Sequence, residues 1–321
     1  MRFFLELSIA SLEAVGLSKN YGSFTALSNL NLKIEGSKCV GFLGPNGAGK
    51  TTTLKIFADL ISPSSGRALI NGTDVHKNKR LALSSCGTLV ETPEIYPALT
   101  PRKALMMIAE LRGIPNADRK RRIEESLAEV KMEEWADKRV GKFSKGMKQR
   151  INVASAILSD PEIVILDEPT MGLDPRGMSE VRDIVKSLKK KGKLVFMSSH
   201  LLSEATEICD EVAMIDHGKL LVYDTLANVS SRFSSSGNLV DVTLARSADL
   251  EKLKAQISAL QGVSSVESID TLNFRIGIAG GVETQERLLS DLVSLKIGVI
   301  SYREASLALE DAYLNLIKDT V

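Results

Sequence analysis

The chain has 321 residues, 44% of them hydrophobic and 25% charged, with a formal net charge of +1, a balance that excludes a disordered chain and a strongly polyanion-seeking one. No apolar run approaches the roughly 20 residues that cross a bilayer, and Glu6 breaks the short apolar start too early for a signal peptide, so a cytoplasmic protein is expected. The length predicts one domain of about 220 residues followed by a smaller one.

Short apolar runs at Cys39 to Leu43, Cys86 to Val90, Ile163 to Leu166 and Leu194 to Met197 alternate with helical periodicity. Strands apolar on both faces predict an α/β fold with a mostly parallel sheet covered by helices. The three cysteines, Cys39, Cys86 and Cys209, are widely spaced in apolar surroundings and read as buried free thiols.

The first of these strands runs into Gly44-Pro45-Asn46-Gly47-Ala48-Gly49-Lys50-Thr51, with Thr52 next, and a helix opens there. Glycines let successive backbone N–H groups turn inward around phosphate oxygens, and the helix N-terminus adds positive potential. Lys50 reaches the outer phosphates and the Thr51 hydroxyl suits Mg²⁺, so the segment reads as a P-loop for ATP.

Residues about 100 to 160 break the alternation with helices alone, over Pro101 to Leu111, Asp118 to Lys131 and Gly146 to Leu158, which predicts a helical subdomain. The strand Ile163 to Leu166 ends in Asp167-Glu168-Pro169, where open α/β sheets place ligand sites. Asp167 suits holding Mg²⁺, and Glu168 suits positioning and deprotonating the attacking water. The next strand ends in Ser198-Ser199-His200, which makes His200 a candidate γ-phosphate contact. His76 and His217 lie in polar segments and read as surface residues. The basic runs Arg119 to Arg122 and Lys186 to Lys193 fall on amphipathic helices and read as solvated faces, so no nucleic-acid partner is expected.

The serine-rich stretch 230 to 238 reads as a linker between a first domain, 1 to 229, and a second, 239 to 321. Beyond it, strands Leu239 to Leu244, Ser264 to Ile269, Asn273 to Ile278 and Val299 to Ser301 enclose two helices in the order βαββαβ, a small ferredoxin-like α+β accessory domain. A last helix is expected over Ser306 to Lys318. Nothing in this tail has catalytic spacing.

Phe143-Ser144-Lys145-Gly146-Met147-Lys148-Gln149-Arg150 resembles the Leu-Ser-Gly-Gly-Gln signature of ABC-type ATPases. Together with the P-loop and the acidic strand, in that family's order, it identifies residues about 10 to 225 as similar to an ABC ATPase domain. By that resemblance Tyr21 stacks on adenine, and Glu91 stands in the Q-loop as a sensor of Mg²⁺ and water. Ser144, Lys145, Gly146 and Met147 contact the ATP held by another subunit, with Ser144 and Gly146 facing its γ-phosphate. Gly172-Leu173-Asp174 is the D-loop, with Asp174 at the dimer interface, and His200 is the switch histidine.

Lys145, Met147 and Glu91 depart from the usual residues, and Glu91 adds an acid beside Glu168. One P-loop and one signature imply half of a motor that pairs with a second ABC subunit, as homodimer or heterodimer. The linker, the tail and Leu309 to Leu314 look most like ABC-2 exporters of the drug-resistance and lipid-handling type. That resemblance implies a separate transmembrane permease, met through Glu91 to Thr100, and a peripheral place at the inner face of the membrane. A soluble ABC ATPase acting on ribosomes or DNA is the alternative.

Overall fold

Period-two alternation of apolar and polar residues over Leu30, Leu32 and Ile34 is what a strand with one buried face requires, and those side chains are buried. In the computed structural model, which describes residues 9–91, 95–233, 238–246 and 250–304, the segment belongs to a sheet absent from the expectations above. Strand β1 (Ser11–Tyr21) pairs antiparallel with β2 (Phe24–Glu35). On its other side, β1 takes a later strand, β4 (Ser65–Ile70).

Between them in sequence come β3 (Cys39–Leu43) and α1 (Lys50–Phe57). The short β5 (Thr73–Asp74) completes the order β2-β1-β4-β5. Helix α2 (Lys79–Ser84) and β6 (Cys86–Leu89) follow.

The helical segment comprises α3 (Pro101–Leu111), α4 (Asn116–Glu129) and α5 (Lys145–Ile157). Thr100 caps α3, accepting from the Lys103 N–H with Pro101 at the first turn, and Ser144 caps α5, accepting from the Met147 N–H. Helix α4 starts two residues before the expected Asp118, directly after Pro115. The chain continues through β7 (Ile163–Leu166), α6 (Pro175–Lys190), β8 (Leu194–Ser199), α7 (Leu202–Ile208), β9 (Glu211–Asp216) and β10 (Lys219–Thr225).

The central sheet runs β10-β9-β3-β8-β7-β6. All neighbours pair parallel except the edge pair β9 and β10. One hydrophobic core joins the two sheets across α1: Leu17, Leu30 and Ile34 pack with Phe42, Leu54, Phe57 and Phe196. The Phe196 ring centroid lies 5.3 Å from Phe42 and 6.2 Å from Phe57.

The chain divides into two compact units, Met1–Leu226 and Ala227–Val321. Helix α8 (Leu226–Phe233) corrects the expected linker, since residues 230–233 continue a helix that begins at the end of β10. The second unit contains β11 (Asn238–Leu244), α9 (Leu250–Ser258), β12 (Val263–Ser268), β13 (Asn273–Ile278), α10 (Val282–Ser294) and β14 (Val299–Glu304). Its strands order as β12-β13-β11-β14, antiparallel throughout, the interleaving of two split βαβ units. Its own core centres on Val240, Val242, Leu253, Ile257, Phe274, Ile276 and Leu292. The start Met1 to Glu6, residues 92–94 and 234–237, and the final helix expected over Ser306 to Lys318 with Leu309 to Leu314 lie outside the described residues.

Candidate nucleotide site

Four adjacent parallel strands, β3, β8, β7 and β6, deliver the candidate residues at their carboxyl ends. The loop Gly44–Thr51 follows β3, Ser198 to His200 close β8, Asp167 and Glu168 follow β7, and Glu91 lies two residues beyond β6. Parallel strands must all point their carboxyl ends the same way, so sheet geometry alone gathers chemistry from four distant segments.

The loop needs its glycines for definite reasons. A Cβ on Gly44 would sit 2.2 Å from the Ile215 carbonyl oxygen of β9. Gly49, the N-cap of α1, has φ +108 and a Cβ there would also meet the Ala26 carbonyl oxygen at 2.7 Å. No side chain caps α1, so its first N–H groups stay available to an anion. Pro45, Asn46 and Gly47 form the exposed rim, Ala48 is buried, and Thr52 is half-buried on the first turn.

Lys50 is only 5% exposed. Its ammonium donates to the carbonyl oxygens of Gly44 at 2.7 Å and Pro45 at 3.0 Å, and stands 3.6 Å from Glu168 Oε1. Burial lowers its pKa, with Glu168 and Asp167 opposing that shift.

Thr51 Oγ1 donates to Asp167 Oδ1 at 3.2 Å, and the same oxygen accepts from Ser198 Oγ at 2.6 Å. Ser198 Oγ in turn accepts from the Glu168 N–H at 2.9 Å. Glu168 holds φ +45, a left-handed conformation that costs a non-glycine residue about 1–2 kcal/mol and is characteristic of functional turns. Its Oε2 lies 2.5 Å from His200 Nδ1. Lys50, Thr51, Asp167, Glu168 and His200 therefore form one contiguous network, with Ser198 at its centre.

Thr51 Oγ1 and Asp167 are hard oxygen donors that suit Mg²⁺. Among the described residues no cluster of three His, Cys, Asp or Glu side chains could hold a metal alone.

Glu91 stands apart from this network. Its φ is +63, its side chain is 64% exposed, and it forms an ion pair with Lys55 on the second turn of α1. Glu91 is also the main cause of a raised Lys55 pKa, by direct hydrogen bonding. Tyr21 sits at the turn of the β1–β2 hairpin, paired with Phe24 and 47% exposed, with the Lys19 ammonium 5.1 Å from its ring centroid, so its ring is open to stacking.

The signature residues assemble elsewhere. Ser144, Gly146 and Met147 line a cavity of about 340 Å³ together with Asp174, Gly177 and Arg150. Asp174 caps α6 by accepting from the Gly177 N–H at 3.2 Å. Lys145 extends over Gly172, its ammonium 2.4 Å from where a Cβ on that residue would stand, which ties the signature to the turn Gly172-Leu173-Asp174.

Three contributors escaped the sequence reading: Ser198, Lys55 and Gln149, whose side-chain amide donates to the Pro169 carbonyl oxygen at 2.8 Å. A hydroxyl at the fully buried end of an apolar strand was the available signal for Ser198. The basic runs are largely neutralised: Arg121 pairs with Asp118 and Glu125, Arg122 and Lys193 with Asp160, Lys189 with Asp210, and Lys191 with Glu129. His76 and His217 are exposed beside Asp59 and Asp216. All three cysteines are free and buried, with Cys39 and Cys209 Sγ atoms 3.8 Å apart.

A glycine-rich loop at the centre of a parallel sheet, with a paired acid and hydroxyl beside it, defines a P-loop nucleotide-binding protein. Residues 27–171 match the model of the ABC transporter family. The bacitracin transport ATP-binding protein BcrA of Bacillus licheniformis is 44% identical over 211 residues, covering 65% of this chain and 68% of that one. The linearmycin resistance ATP-binding protein LnrL of Bacillus subtilis is 30% identical over 312 residues, 97% of this chain and 99% of its own length. A solved ATP-binding subunit of an ABC transporter superposes with a TM-score of 0.62 at 30% identity, covering 76% of this chain and 98% of that one.

The chain belongs to the ABC transporter family, as an ATP-binding ATPase subunit. Neither relative is described as a ribosome or DNA factor, which leaves that alternative without support.

Proposed function

We propose that the chain is the motor of an exporter of the drug-resistance type, carrying half of each of two composite ATP sites. The observation that carries this reading is the separation of its motifs. Lys50, Thr51, Asp167, Glu168 and His200 meet in one network, while Ser144, Gly146 and Met147 line a different cavity with Asp174. A second ABC subunit supplying its own Ser144-type face to this P-loop completes the site, and closure of the pair drives a membrane partner.

Within each site the backbone of Gly44 to Thr51 and the Lys50 ammonium bind the phosphates, and Tyr21 stacks on the base. Thr51 and Asp167 would hold Mg²⁺, which neutralises charge on the outer phosphates when bound. Glu168 orients the attacking water and accepts its proton at Oε1 or Oε2, a role that its φ of +45 and its contact with His200 support. His200 holds the Glu168 carboxylate in place. Ser144 and Gly146 serve the partner's nucleotide through the N-terminus of α5, and Lys145, Met147 and Asp174 frame that contact.

Glu91 is proposed to couple the site to the permease rather than to ligate the metal, because its carboxylate is occupied by Lys55. The relatives BcrA, a bacitracin transport protein, and LnrL, a linearmycin resistance protein, make an antimicrobial compound the proposed cargo. Among the described residues no helix is long and apolar enough to cross a membrane, so the cargo path is assigned to a separate permease at whose cytoplasmic face the chain sits.

Affinity purification from native membranes tests this. An integral membrane protein recovered in fixed ratio with the chain is expected, and its reproducible absence would contradict the transporter reading.

A further inference from the structure

His200 is held at a junction: β8 ends at Ser199, and α7 starts at Leu202. The Ser199 hydroxyl sits immediately before the histidine. It donates to Glu204 Oε2 at 2.8 Å and accepts from the Leu201 N–H at 3.0 Å. One hydroxyl thus ties the backbone on both sides of His200 to a side chain on the first turn of α7.

Glu204 is an unexpected residue to find there. It is 4% exposed, and its other oxygen, Oε1, is buried without a hydrogen-bond partner. Burying a carboxylate with half its acceptors unmet is costly. The neighbouring acid of α7, Glu207, has the Arg182 guanidinium of α6, whereas the hydrogen bond shown for the Glu204 carboxylate is from Ser199. Helix α7 itself is seated closely on β3: a Cβ on Gly41 would stand 3.0 Å from Cys209 Sγ and 3.5 Å from Ala205 Cβ. The helix that carries Glu204 is thereby packed against the strand that leads into the P-loop.

We infer that Glu204, acting through Ser199, is the positioning residue that fixes the His200 backbone so that its Nδ1 meets Glu168 Oε2. The inference rests on the proposed role of His200 in holding Glu168. Glu204 touches neither nucleotide nor water in this account. It sets the turn from which the imidazole projects, and α7 transmits the seat of β3 to that turn.

The test measures single-turnover ATP hydrolysis with the full chain in excess, so that low rates stay readable. Ser199→Ala, Glu204→Ala and Glu204→Gln are each made alone and combined with His200→Ala. Ser199→Ala and Glu204→Ala should slow turnover about tenfold, with the ATP concentration dependence unchanged within about twofold. Glu204→Gln keeps an acceptor for Ser199 and should recover most of the rate.

None of the three should slow the His200→Ala protein further. Full additivity with His200→Ala, or a shift in ATP affinity and melting temperature without a rate loss, would overturn the inference while leaving the role of His200 standing. Wild-type turnover by His200→Ala alone would remove that role, and the inference with it. Ser199→Ala keeps the test decisive should Glu204→Ala fail to fold.

Discussion

The two units of this chain use sheets of opposite character. In the first, β3, β8, β7 and β6 run parallel and end together, so the loop, both acids and the histidine arrive at one edge of the sheet. In the second, β12, β13, β11 and β14 alternate in direction, and adjacent strand ends point opposite ways. Parallel order concentrates chemistry, while antiparallel order distributes its strand ends and here buries Val242, Phe274 and Ile276. The first unit thus gathers the candidate site residues at one end of its sheet, while the second builds a core of its own, and LnrL matches the chain across both.

The sharpest way to break this contrast is Glu168→Gln, which should lower turnover about 10²–10⁴-fold while leaving ATP binding and thermal stability near wild type. A destabilised protein instead would mean that Glu168 is structural. Gly44→Ala places a methyl group into the Ile215 carbonyl and should abolish ATP binding, read by nucleotide titration. Retained affinity would show that the loop can shift.

In the second unit Phe274→Ala should cost about 3–5 kcal/mol, seen in calorimetry as loss of one of two melting transitions, with ATP affinity intact. A joint loss of both transitions would merge the units energetically. The smallest effect is expected from Glu91→Gln. The pair with Lys55 is exposed on the Glu91 side, so its loss should cost well under 1 kcal/mol, and hydrolysis by the isolated chain should change only a few-fold. A rate loss comparable to that of Glu168→Gln would place Glu91 in the chemistry.

Much of the site was legible because its motifs are contiguous: Gly44 to Thr51, Ile163 to Glu168 and Leu194 to His200 each read as a strand with a chemical end. The meeting of these segments followed from parallel topology alone. The N-terminal antiparallel sheet was written in the alternation of Leu30, Leu32 and Ile34 yet lay outside the pattern of strands apolar on both faces. The pairing of Glu91 with Lys55 was not legible, because the two lie 36 positions apart and nothing local fixes a surface rotamer. Ser198 hid for another reason: a serine inside an apolar strand gains meaning only once Asp167 and Glu168 of β7 are known to end beside it. The linker reading failed at 230–233 because serine content argued for a loop, whereas the helix starting at Leu226 continued through it.

The central claim is that this chain holds half of each ATP site. Light scattering of the Glu168→Gln protein with and without ATP tests it most directly. The account predicts one chain mass without nucleotide and twice that mass with ATP, reversed by Ser144→Ala. A protein that keeps the mass of a single chain at saturating ATP would contradict it.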